Sequence, residues 1–146
     1  MCSLALSLQP LRLGGPRNGT CSGQVVVSAD GVLPKVTATL GSLSPAKGAP
    51  MPKDALTIRY ATRKTPLMKD ASAYFDALLD APPGDASMQP VWVTASVPAD
   101  AKPGIYTGTL SVSVGDKVTP VPIELTVCDW KVPAPRDGQS IVGLFP

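Results

Sequence analysis

Histidine is absent from all 146 residues. With it go the commonest general base, any serine–histidine triad and the most versatile neutral metal ligand. Cysteine is scarce: Cys2, Cys21 and Cys128 match no zinc-knuckle spacing, and an odd number leaves one thiol unpaired whichever two might bridge. No metal and no cofactor is expected. Aromatic residues make up only 5%, which gives little material for a broad platform that stacks sugar rings. Charge is low and mixed, with 13 basic and 11 acidic side chains scattered along the chain. No basic cluster of the kind that neutralises phosphates occurs, so nucleic acid is not an expected partner. No stretch approaches the roughly 20 apolar residues that span a bilayer, so no membrane partner is expected and the chain reads as soluble. The opening Met-Cys-Ser-Leu-Ala-Leu-Ser-Leu has no positive n-region, and no signal peptide is visible in it.

What the sequence does have is punctuation and alternation. Its 17 prolines and 13 glycines leave room for short strands and little room for long helices, while 44% hydrophobic residues supply a core. Leu4, Leu6 and Leu8 alternate in the manner of a first strand. Residues 14–19 (GGPRNG) read as a turn, followed by the β-branched stretch 20–28. Residues 36–40 alternate after Pro34, and 56–61 place Leu56, Ile58 and Tyr60 opposite Thr57 and Arg59. In 91–97, Val91, Val93, Ala95 and Val97 share one face, and Trp92, Thr94 and Ser96 the other. A Pro/Gly turn over 98–104 leads to 106–114, with Tyr106, Leu110, Val112 and Val114 inward. The Gly115-Asp116 turn leads to 121–127, with Val121, Ile123, Leu125 and Val127 inward. Strands of this length with turns every 8 to 12 residues predict an all-β, antiparallel β-sandwich of immunoglobulin-like or fibronectin-like architecture.

Two long loops, 41–54 and 62–89, interrupt the pattern. Within the second, residues 69–79 (KDASAYFDALL) allow a short helical or extended piece confined by Pro66, Pro82 and Pro83. After Asp129 the composition changes. Trp130-Lys131-Val132-Pro133-Ala134-Pro135 reads as a stiff extended connector, and 141–145 (IVGLF) begins a fresh apolar run. The expected organisation is a sandwich over 1–129, then a connector and the start of a following domain over 130–146. Parity puts Cys21 on the face of Val25 and Val27 but Cys128 opposite Leu125 and Val127, so free thiols are expected there.

The acidic residues do not announce an acid/base pair of the kind that cleaves glycosides. Most sit at turns, where an aspartate side chain caps its own backbone, and Glu124 points outward from a strand. Trp92 faces away from the valines beside it, so core packing, docking to a neighbouring domain and stacking on a sugar all remain open. Trp130, at the start of the connector, is a docking candidate. Asn18-Gly19-Thr20 fits the glycosylation sequon, which matters only in a secretory eukaryotic host.

The run 89–94 (QPVWVT), the run 97–110 (VPADAKPGIYTGTL) and the closing 121–127 (VPIELTV), with Asp129-Trp130 and Val132-Pro133, are distinctive. Together they resemble the amino-terminal β-sandwich of glycoside hydrolase family 123 and its uncharacterised relatives. Arg17-Asn18-Gly19 leading into 24–27 and the stretch 74–79 add to the resemblance, which covers most of the chain from Arg17 onward. It implies a sandwich that precedes a (β/α)8 barrel, with the catalytic acidic pair in the barrel. No catalytic residue is therefore carried onto this chain. The implied function is a non-catalytic accessory module whose partner is the following catalytic domain of the same polypeptide. Secretion or a periplasmic location is implied for the parent protein. Trp92, Trp130 and Phe145 are the candidate contacts with that domain or with a glycan. The alternative is a free-standing carbohydrate-binding or protein-interaction module.

Overall fold

The computed structural model describes residues 8–62, 77–84 and 87–137. Among them nine strands form two stacked sheets: β1 Leu11–Arg17, β2 Thr20–Ser28, β3 Val36–Leu40, β4 Ser44–Pro45, β5 Leu56–Thr62, β6 Ala77–Leu79, β7 Met88–Ser96, β8 Gly104–Val114 and β9 Lys117–Lys131. The first sheet runs β1-β9-β8-β3, with β4 also paired to β8, and the second runs β2-β7-β5-β6. The expected all-β sandwich is therefore what the chain forms. Every pairing is antiparallel except β1 with β9, which is parallel from Leu11↔Ile123 to Pro16↔Cys128.

The alternation read from the sequence does the packing. Val91, Val93 and Ala95 of β7 face Leu110 and Val112 of β8 and Val121, Ile123, Leu125 and Val127 of β9, all buried. Each such aliphatic side chain contributes about 1.5–3 kcal/mol relative to exposure, so this interlayer is the main stabilising element. Tyr106 enters it from β8 and donates its hydroxyl hydrogen to the Lys102 carbonyl at 2.9 Å, tying the 98–104 turn to the core.

Two departures from the sequence reading have physical causes. Residues 14–17 lie in strand β1, and only Asn18-Gly19 forms the turn. Pro16 is tolerated because β1 is an edge strand, where a missing N–H leaves no ladder bond unmade. Next, β9 begins at Lys117 despite Pro120 and Pro122. The β1 register starts at Ile123, so both prolines lie where β9 is paired with β8 alone. Within the stretch read as a short helical or extended piece, residues 77–79 are extended and form a short edge strand on β5. Residues 69–76, the Leu4 and Leu6 positions and the run 141–145 lie outside the described residues. Pro90 brings no N–H to central strand β7, and Gln89, buried there, donates its side-chain amide to the Ala61 and Pro90 carbonyls, each at 2.9 Å.

Gly108 is a position where only the smallest residue fits. A Cβ there would lie 2.6 Å from Leu43 Cδ2 and 2.7 Å from the Ser42 carbonyl oxygen. The missing side chain lets the 41–54 loop lay the fully buried Leu43 against β8. Gly108→Ala should destabilise the fold by about 1–3 kcal/mol, the usual cost of overpacking. Urea unfolding monitored by circular dichroism checks this, and an unchanged midpoint would show that the loop is not held at Gly108.

Candidate functional site

Acid/base chemistry on a glycoside would require paired carboxylates, and four of the described acidic side chains are paired with arginines instead. Four ion pairs link Arg12 to Glu124 (3.8 Å), Arg17 to Asp129 (3.8 Å), Arg59 to Asp80 (3.3 Å) and Arg136 to Asp137 (3.9 Å). These acids sit on the surface beside arginines, and none of the four pairs sets two carboxylates across a cleft. Among the described residues no group of three or more His, Cys, Asp or Glu could hold a metal ion.

Two surfaces stand out instead. One is the outer face of the second sheet, where the register aligns Gln24, Trp92 and Arg59 across β2, β7 and β5. Trp92 is half-buried. The next row holds Ser22, Thr94 and Thr57, and the Ser22 and Thr94 hydroxyls are hydrogen-bonded at 2.9 Å. Asp80 pairs with Arg59 at the rim. As its parity predicts, Trp92 turns away from the buried valines and lies among hydroxyls and amides. Pro90 and Val26 continue the face in the next row, with Val26 exposed.

The other surface is the corner where β9 ends. In the β1–β9 ladder Pro16 pairs with Cys128 but Arg17 pairs with Lys131, so Asp129 and Trp130 are two extra residues bulged out of β9. The bulge is held from the β1–β2 turn. The Arg17 Nη2 donates to the Asp129 carbonyl, and the same guanidinium pairs with the Asp129 carboxylate. Arg17 Nε is buried without a partner, a desolvation cost that the two Asp129 contacts offset. Asn18, at φ 58°, donates Nδ2 to the Val132 carbonyl at 2.9 Å, and the Val132 amide donates to the Arg17 carbonyl at 2.9 Å. The nitrogen that a glycan would modify in the Asn18 sequon thus already serves as a donor. Trp130 stands on this bulge and is 61% exposed.

The structure does not bring Trp92 and Trp130 together: they lie on different sheets. Phe145 lies outside the described residues. Sequence reasoning picked out both tryptophans but missed Arg17 and Asn18 as the groups that organise the corner. The Asn-Gly turn was the available signal, since asparagine tolerates the left-handed conformation such a turn needs.

The chain matches the family model described as the glycoside hydrolase 123 N-terminal domain over residues 6–114. It belongs to that family. No curated protein matches it. Among solved structures, a family 123 glycoside hydrolase from Clostridium perfringens, analysed for glycolipid glycan hydrolysis, is similar with a TM-score of 0.66 and 15% sequence identity. That alignment covers 90% of this chain and 24% of the other, so the module spans about a quarter of that hydrolase. The likeness is one of fold.

Cys21 and Cys128 are both free and half-buried, and they lie near one another. Burial pushes the Cys21 thiol up from its ordinary value of 9.0, with a smaller contribution from the nearby Cys128. The folded chain therefore holds this proton more tightly than the unfolded chain. The resulting stabilisation is complete below about pH 9, the ordinary value, and is lost as pH rises through the folded-state value. Denaturation midpoints measured from about pH 8 to 10.5 should fall more steeply in the native sequence than in Cys21→Ala. Parallel pH profiles would show that the thiol is not desolvated.

Proposed function

We propose that this chain is a non-catalytic accessory module of a larger carbohydrate-active protein, and that it packs against a catalytic barrel that follows it in the same polypeptide. The observation that supports this most directly is its membership of an amino-terminal domain family, together with its spanning only a quarter of a similar hydrolase. The surface placement of Asp80, Glu124, Asp129 and Asp137 beside arginines agrees with it, because general acid/base work needs two carboxyl groups facing one bond across a cleft. In this reading the parent protein is secreted or periplasmic, where extended glycans are met.

The natural reading frame should run several hundred residues past Pro146 in a repeating strand–helix pattern, and a stop codon at that point would remove the accessory reading. In the full-length protein, Glu124→Gln and Asp80→Asn should leave the turnover of aryl glycosides unchanged. A loss of about 100-fold or more, the scale of a removed acid or base, would place the chemistry in this module.

A second reading, a free-standing carbohydrate-binding module, has one observation in its favour. Trp92 lies among the hydroxyls and amides of Ser22, Thr94, Thr57 and Gln24 on an open sheet face. A neutral sugar presents an apolar ring face and a polar rim that such a surface could match. Glycan-array binding by this chain that disappears in Trp92→Ala would favour this reading, and an array with no binding above background would discard it.

A further inference from the structure

The corner at the end of β9 has features that packing within the sandwich does not require. The bulge at Asp129-Trp130 takes two residues out of the ladder, and bulges of this kind re-aim side chains. Here the re-aimed side chain is an indole, 61% exposed, two residues after a half-buried cysteine and three after the buried Val127. The backbone is pinned on both sides of it. Asp129 is held through its carbonyl and its carboxylate by Arg17, and Val132 through both its amide and its carbonyl by the β1–β2 turn. A large apolar side chain carried on a pinned backbone has less freedom to lose on binding than one on a mobile segment, and tryptophan is among the residues most enriched at the energetic centres of interfaces.

We propose that this corner is the contact surface for the domain that follows the module, with Trp130 as its anchor and the Arg17–Asn18 clamp as the device that aims it. The proposal rests on the reading that such a domain follows. The chain leaves the sandwich at this same corner, and at most about 3.6 Å per residue separates Trp130 from the 3-10 turn at Pro135–Asp137. Pro135 therefore lies within about 18 Å of the Trp130 backbone. Of the charges nearby, Arg17 is paired with Asp129 and Arg136 with Asp137. Three quarters of the similar family 123 hydrolase lies outside the region matched by this chain, enough to supply the opposing surface.

The test uses the full natural reading frame, with small-angle X-ray scattering for the domain arrangement and hydrogen exchange over residues 130–137. Trp130→Ser is the deciding variant, because so exposed a residue can be replaced without disturbing the core. Exchange in β8 and β9 checks that the variant has folded. Truncating an anchoring indole should shift the docked-to-undocked ratio by about 30-fold or more, seen as a larger maximum dimension and faster exchange over 130–137. Arg17→Ala should move both readouts in the same direction, and Trp92→Ala should move neither. A fixed arrangement that survives Trp130→Ser overturns the anchor while leaving the accessory reading in place. Two bodies that already move independently in the unmodified protein overturn both. Concentration-dependent self-association abolished by Trp130→Ser would assign the corner to a second copy and overturn the proposal.

Discussion

A sandwich of two sheets has two open flanks, and water must be kept from the interlayer at both. In this chain the two flanks are closed by different means. On one, the edge strands β1 and β2 belong to different sheets but are drawn together, because Gly23 has no Cβ to collide with Leu13 Cδ2, which would lie 2.7 Å from it, or with Leu11 Cδ1 at 3.0 Å. The leucines of the first sheet thereby lean onto the backbone of the second. On the other flank, Tyr60 of β5 reaches across and accepts a hydrogen bond from the Ala38 amide of edge strand β3 at 2.8 Å. A buried aromatic body with a polar tip suits this closure, because the ring fills the interlayer while the hydroxyl satisfies an edge amide.

The first closure also builds the corner at the end of β9. For β1 to lie beside β2 and still belong to the opposite sheet, it must pair with β9, and the only turn joining β1 to β2 is Asn18-Gly19. That turn consequently lies where β9 ends. Arg17 and Asn18 are next to residues 129–132 because a hydrophobic flank had to be sealed, and the polar clamp on Asp129 and Val132 is built on that neighbourhood. Packing sets the address, and polar groups use it.

Much of this was legible in the sequence. Strict alternation in 91–97 and 121–127, with valines recurring at alternate positions, fixes both the strand and the side it buries. The placement of Trp92 on the outer face follows from the same parity. What could not be read were features that depend on a distant partner. Gly14, Gly15 and Pro16 look like a turn until β9 arrives alongside, for a parallel ladder joins residues more than 100 positions apart and leaves no local trace. Pro120 looks like a strand breaker until one sees that β1 stops short of it. The bulge at Asp129-Trp130 appears in sequence only as a change of composition. Its direction is set by Arg17, and no periodicity reveals that contact. Glycine at 108 is equally silent, since its role is to leave room for Leu43.

The parallel pairing of β1 with β9 also has a mechanical meaning. The first described strand and the last lie side by side and run in the same direction, so the two ends of the module leave from opposite ends of one ladder. A pull applied through the flanking chain would slide β1 along β9, loading all their hydrogen bonds together. An antiparallel terminal pair would be peeled apart one bond at a time. Pulled along the line of the polypeptide, the module would by this arrangement resist stretching and transmit force as a stiff link.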